Sequence, residues 1–339
     1  MAANYGKWLV ERSLDEGGQA HVYVVRERDS DKQDLFALKR LRSSKRIDRF
    51  KAEVDAMNRL NHGNIVQVVD QDLETEKPWY VMKFYEDGNL SNYVRNNPHL
   101  TPLERLDAFN QVCEAVIAAH QEGVIHRDIK PENILVEGSS FRFMLSDFGI
   151  VHVDNQEMLT IGFEQLGAKN YIAPELEHGD IPTRRADIYS LGKLLFFIFS
   201  AKVLPGYKIR GERDYAKNLT DVDPMLVMVV DLIERMISEN RDNRPEEVTD
   251  VRNEIRNVIT VFSRNYNVPA PGAPRHCVYC GVGFYELIAN KREDFHGLTG
   301  MQIHDERKAA IFRCNRCGNM QLFYTYDLKR TNWWEQEGN

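Results

Sequence analysis

The chain has 339 residues, 42% of them hydrophobic and 28% charged, which is the composition of an ordinary globular protein and excludes a disordered or collagen-like one. Its formal net charge of −7 argues against a dedicated nucleic-acid binder. Residues 1–10 lack the apolar core of a signal peptide, and the most apolar run, Leu194–Phe199, is far too short to cross a bilayer, so a cytoplasmic, reducing setting is expected.

Residues 9–41 read as three strands, with the glycine-bearing turn L-D-E-G-G-Q-A-H-V at 14–22 between the first two. Taken alone, that turn is an ordinary hairpin. In L-F-A-L-K-R-L at 35–41 the period of two puts Ala37 and Lys39 on one face. Residues 47–60 carry Phe50, Val54, Met57 and Leu60 at helical spacing, with Glu53 beside that stripe. Strands are expected over 65–69 and 79–84, a turn at 86–89, and a helix over 102–122 with Pro102 in its first turn. Cys113 stands alone in that helix and reads as a small buried hydrophobe.

The stretch V-I-H-R-D-I-K-P-E-N-I-L-V at 124–136 sets an acid, Asp128, two residues before a base, Lys130, and five before an amide, Asn133. Apolar runs anchor this polar loop on both sides, as a loop carrying positioned chemistry requires. A second acid, Asp147, follows in S-D-F-G at 146–149. Further on come A-P-E at 173–175, D-I-Y-S-L-G at 187–192, Arg244 in D-N-R-P, and an amphipathic helix over 246–262.

These motifs, in this order from about residue 9 to residue 262, resemble the eukaryotic-type (Hanks-type) serine/threonine protein kinases. The resemblance implies an α+β, bilobal fold with a β-rich N-lobe and a helical C-lobe. It implies a nucleotide site formed by Leu14, Gly17, Gly18, Val22, Ala37, Lys39, Glu53, Met82, Tyr85 and Leu135, where Glu53 pairs with Lys39 and Met82 gates the back of the pocket. Asp128 then accepts the proton of a substrate hydroxyl, Lys130 steadies the transferring phosphate, and Asn133 and Asp147 hold Mg2+ or Mn2+ for ATP. Lys130 resembles the serine/threonine branch rather than the tyrosine branch, and Thr160 matches a phosphorylation site in the segment before A-P-E. Asp187 is expected to accept hydrogen bonds from the catalytic-loop backbone, and Arg244 to pair with Glu175.

The match is incomplete. Asp15 and Ala20 replace the first and third glycines of the phosphate-covering loop, and Ala168 replaces a threonine that braces the catalytic acid and lysine. The alternative reading is therefore a pseudokinase-like scaffold or binding protein. Outside the motif context, Lys39 and Glu53 would be plain surface charges and Thr160 only a loop threonine.

Beyond the expected kinase domain at 1–266, P-A-P-G-A-P closes a Pro-rich linker at 267–274. Residues 275–339 hold Cys277-x-x-Cys280 and Cys314-x-x-Cys317, separated by 33 residues, with Gly281 and Gly318 after the second cysteine of each pair. Two such knuckles followed by F-Y-E-L-I and M-Q-L-F-Y-T-Y resemble a zinc ribbon with four cysteinate ligands. The complete tetrahedron makes that Zn2+ structural, and the module suits docking of a partner or protein substrate better than nucleic acid. The oligomeric state is not legible in the sequence.

Overall fold

The computed structural model of the chain describes residues 4–15, 20–30, 34–148, 170–204, 219, 226–263, 275–276, 284–289, 308–314 and 320–325. Gly17, Gly18, Thr160, Ala168, Cys277, Cys280, Cys317 and the linker expected at 267–274 lie outside the described residues.

The first lobe is an antiparallel sheet of β1 (Asn4–Tyr5), β2 (Trp8–Asp15), β3 (Ala20–Glu27), β4 (Phe36–Leu41), β5 (Val68–Asp72) and β6 (Trp79–Lys83), in the order β1-β2-β3-β4-β6-β5. Strand alternation gives it two apolar faces. Trp8, Val25, Leu38, Trp79 and Val81 form a small core on one face, while Ala37, Leu41, Tyr80 and Met82 join the main core on the other. Helix α1 (Ile47–Arg59) covers the second face with Phe50, Val54, Ala56 and Met57. The expected strand over 65–69 is displaced to Val68–Asp72. Ile65 and Val66 are wholly buried and pair instead with Leu145, so the chain reaches the edge of β6 only afterwards.

The second lobe opens with α2 (Leu90–Asn96), capped by the Asn89 side chain, and α3 (Pro102–Gln121). Thr101 and Glu104 form a reciprocal capping box at the start of α3, and Pro102 occupies the first turn, where its missing N–H costs nothing. Burial pushes the Cys113 thiol up, as its reading as a core residue anticipates. The hairpin β7 (Ile134–Glu137) and β8 (Arg142–Leu145) packs on α3. After α4 (Pro174–Glu177) comes α5 (Arg184–Ser200), in which every residue from Ala186 to Phe199 is buried, the polar Asp187, Ser190 and Lys193 included, so the helix is enclosed on all sides. Helices α6 (Val227–Met236) and α7 (Val248–Ser263) complete the lobe, and Glu114 of α3 meets Arg252 and Arg256 of α7 at 3.3 and 2.7 Å. No helix among the described residues is long and apolar enough to cross a membrane.

The lobes are joined by backbone. The Leu145 N–H donates to the Asn64 carbonyl at 2.8 Å, and its own carbonyl accepts from Val66 N–H at 2.9 Å. The Asn64 side chain adds bonds to Gln111 of α3 and to the Phe143 carbonyl.

In the tail, β9 (Arg275–His276), β10 (Phe284–Ala289), β11 (Lys308–Cys314) and β12 (Met320–Thr325) form an antiparallel sheet in the order β12-β11-β10-β9. His276 stands opposite Phe284, Cys314 opposite Tyr285, and Arg313 opposite Met320.

Candidate active site

The site begins with strand register. Val22, Lys39 and Tyr80 stand directly opposite one another across β3, β4 and β6, and Val24, Ala37 and Met82 form the next row. Residues opposite each other share a face, so both rows look toward α1 and the space between the lobes. Ala37, Met82 and Tyr85 are buried there, and Val22 and Leu135 are partly buried against the same core. Leu14, by contrast, is 38% exposed at the rim. Burial pushes the Tyr85 hydroxyl up to about 12, so it stays protonated.

Lys39 is the centre of an ionic cluster. Its Nζ donates to Glu53 Oε1 at 2.8 Å and to Asp147 Oδ1 at 2.5 Å. These residues lie 14 and 108 positions away in the chain, on α1 and just after β8. Burial alone drives the Lys39 ammonium down, but Asp147 and Glu53 outweigh it and hold the group well above its ordinary value. Burial also pushes the Glu53 carboxyl up, Lys39 opposes that rise, and the Asp147 charge adds to it. For Asp147, whose side chain is more exposed than that of Glu53, Lys39 outweighs the desolvation and its carboxyl lies low.

Asp147 adopts φ 57°, a left-handed conformation that aspartate tolerates better than most residues. Its neighbours fix it there. Ser146 donates from both its N–H and its hydroxyl to the Asn133 carbonyl, each at 2.9 Å. Phe148 is fully buried against His126, with ring centroids 4.7 Å apart. His126 is itself buried, which lowers its pKa and keeps it neutral; Nε2–H then donates to the Ser146 carbonyl and Nδ1 accepts from the Asp128 N–H.

Across the cleft, Asp128 Oδ2 accepts from Lys130 Nζ at 2.7 Å and from Asn133 Nδ2 at 2.9 Å. The loop bearing them hangs on Asp187 of α5. Its carboxylate accepts from the backbone N–H groups of His126 and Arg127 at 2.9 and 2.8 Å and meets His120 Nε2 at 2.8 Å. Those donors outweigh the burial that would raise the Asp187 carboxyl, and it lies low. Arg244 grips Glu175 through two parallel bonds of 2.6 and 2.8 Å, a buried clamp beneath α4.

Lys39, Glu53 and Asp147 thus form one bonded group and Asp128, Lys130 and Asn133 another, and the two are linked where Ser146, next to Asp147, bonds the Asn133 carbonyl. The described residues contain no group of three or more His, Cys, Asp or Glu side chains able to hold a metal ion. Asn133 and Asp147 offer an amide and a carboxylate, a donor pair that fits a hard cation completing its shell with water and phosphate oxygens. Tyr80 is the residue that sequence reasoning missed: its hydroxyl lies 3.1 Å from Glu53 Oε1 and 3.4 Å from Asp147 Oδ1. The run W-Y-V-M signals only a buried strand, and nothing in it says where the phenol oxygen ends up.

A lysine held between two carboxylates, facing an acid–lysine–amide loop across a two-lobed cleft, is a geometry suited to phosphoryl transfer. Comparison with known proteins agrees. The family model described as the protein kinase domain matches residues 8–262, and the chain belongs to that family. The serine/threonine-protein kinase PrkC of Bacillus subtilis is 32% identical over 203 residues, covering 58% of this chain and 31% of that protein. The serine/threonine-protein kinase PkaA of Streptomyces coelicolor is 30% identical over 260 residues, covering 70% of this chain and 48% of its own length. PknJ of Mycobacterium tuberculosis is 34% identical over 204 residues, 58% of this chain and 34% of that kinase. The chain therefore spans less than half the length of these curated relatives. Among solved structures, Rad53 1–466 in complex with AMP-PNP superposes with a TM-score of 0.58 at 23% identity, over 73% of this chain and 64% of that one. That likeness establishes the bilobal protein-kinase fold.

Proposed function

We propose that the chain is an ATP-dependent serine/threonine protein kinase that moves the γ-phosphate of ATP to a protein hydroxyl. The observation that carries this reading is the convergence of Lys39, Glu53 and Asp147 opposite Asp128, which Lys130 and Asn133 hold in place. Ala37, Met82, Tyr85 and Leu135 supply an apolar slot for the base, and Lys39 turns from Asp147 to the phosphates when nucleotide enters. Asn133 points its amide nitrogen at Asp128, so its amide oxygen and the Asp147 carboxylate are the atoms that would take Mg2+ or Mn2+. When bound, that ion neutralises the charge on the phosphate oxygens. Asp128 orients the hydroxyl and accepts its proton, while Lys130, already at that carboxylate, meets the incoming phosphoryl oxygens. The names of the relatives and the lysine at position 130 both favour serine or threonine as acceptor.

The proposed boundaries are a kinase domain at 1–266, a linker at 267–274 and a ribbon at 275–339. For the ribbon, the supporting observation is topological. Residues 276 and 284, and residues 314 and 320, flank the two C-x-x-C connections, and the register His276–Phe284, Tyr285–Cys314 and Arg313–Met320 puts all four at one end of the sheet. If these two C-x-x-C connections bring their four cysteinates together, the set would suit a structural Zn2+. Partner or substrate docking is the role proposed for this module, and Thr160 is proposed as a phosphosite.

Incubation with labelled ATP-Mg and a protein acceptor tests the central reading. Asp128→Asn is expected to lower phosphate transfer by about 10²-fold or more, with ATP binding retained. Equal transfer by both proteins refutes the role given to Asp128. Nucleotide binding without turnover on varied acceptors supports the scaffold reading that Asp15, Ala20 and Ala168 suggest.

A further inference from the structure

The Lys39 cluster contains two carboxylates and one ammonium, and that ammonium is already shared between both carboxylates before any phosphate arrives. Lys39 spends hydrogens on Glu53 at 2.8 Å and Asp147 at 2.5 Å. Once it turns from Asp147 to an anionic ligand, Glu53 shares the ammonium with that second anion. A second donor is already in place. Tyr80 is fully buried, stands opposite Lys39 in the β4–β6 ladder, and directs its hydroxyl to Glu53 Oε1 at 3.1 Å. The same oxygen lies 3.4 Å from Asp147 Oδ1, but its single proton serves one acceptor at a time, and Glu53 is the nearer. The Tyr80 ring sits 5.5 Å from the ring of Phe50, which is on the same helix as Glu53, and 5.7 Å from Lys39 Nζ. Burial, the main cause, holds the Tyr80 hydroxyl well above its ordinary value, so it remains a neutral donor and brings no further charge into the cluster.

We propose that Tyr80 is a positioning residue of the nucleotide site, a tether from β6 that keeps Glu53, and with it α1, at the cluster independently of Lys39. Its link to ATP rests on the kinase reading above; its link to α1 does not. The tether differs from the lysine–glutamate pair in being uncharged and in coming from β6 rather than β4.

Tyr80→Phe removes one oxygen and keeps the ring against Phe50. In the full chain, amide hydrogen exchange over residues 47–59 is expected to quicken about tenfold, with exchange in α3 and α5 unchanged. The Kd for ATP-Mg is expected to rise about fivefold while the KM for the protein acceptor stays constant. In a Glu53→Ala background, Tyr80→Phe should change neither quantity, because the acceptor is already gone. Unchanged exchange over 47–59, or effects of equal size with and without Glu53, would overturn the tether. If the wild-type chain neither binds nor turns over ATP, the kinase reading fails, while the exchange arm still decides what Tyr80 does.

Discussion

Lys193 shows how a single side chain can set a pH dependence without entering the chemistry. It lies within the enclosed helix α5, is 2% exposed, and donates to the Leu204 carbonyl at 3.2 Å. Burial lowers its pKa from 10.5 to about 8. The folded protein therefore sheds this proton before the unfolded chain does. Between pH 8 and 10.5 the unfolded state binds more protons, and this residue adds stability as pH rises. Measured as the difference in unfolding free energy between wild type and Lys193→Met, wild type should gain about 3 kcal/mol between pH 7 and 11. The loss of the bond to Leu204 shifts both ends of that curve equally and leaves its slope intact. A flat difference across this range would mean that Lys193 titrates normally. Lys193 also illustrates what a sequence conceals, because nothing in G-K-L-L marks its ammonium as buried, and its burial follows from how α5 packs in the lobe. The acids and bases of the cleft were legible for the opposite reason: Lys39, Asp128, Asn133 and Asp147 occur in compact motifs whose spacing already implies one loop or strand each. Tyr80 has no such motif, and its position depends on register across three strands.

Among the elements, α5 and α6 meet at Gly192. A Cβ added there lies 2.8 Å from both Met236 Cβ and Ile237 Cγ2, closer than side-chain carbons approach. Met236 Cβ is bound to backbone and cannot swing aside, so Gly192→Ala must push the helices apart. The expected cost is about 1–3 kcal/mol in denaturant unfolding, despite the better helix propensity of alanine. An unchanged midpoint would show that α6 has freedom to slide. Elements with strong periodicity, such as α1 and α3, were read from sequence to within a residue or two of their ends. The strand expected at 65–69 moved because its apolar residues pair across the lobes with Leu145, a contact no local pattern announces. Helix α2 follows directly on the turn expected at 86–89 and has no counterpart in the sequence reading, although Asn89 is a good cap, since its seven residues give too short a stripe. In the tail, β11 escaped notice because K-A-A-I-F-R-C alternates poorly.

At the scale of the whole molecule, the two lobes have a continuous core, whereas the sheet of the tail has four short strands, one of only two residues. Modules of that size commonly depend on a cross-link for stability. Chelation of the proposed Zn2+ is expected to expose residues 275–339 to limited proteolysis while the thermal transition of residues 8–262 stays in place. A tail that still resists protease after chelation would rule out a structural metal. The order of motifs made the two-lobed plan readable from sequence, because each motif belongs to a known place in it. The part played by the tail was not readable, since its charges balance and its aromatics serve equally as core or contact.

Leu145 has a mechanical consequence. Both of its backbone polar groups are committed to the loop before β5, and Asp147 follows two residues later. The lobes are thus pinned near the end of the cleft where the acidic side chain sits. Tilting about such a fulcrum swings the outer lip through a wide arc and barely displaces the inner end. On such a pivot the outer lip has room to open for a bulky guest while the backbone that carries Asp147 stays in place.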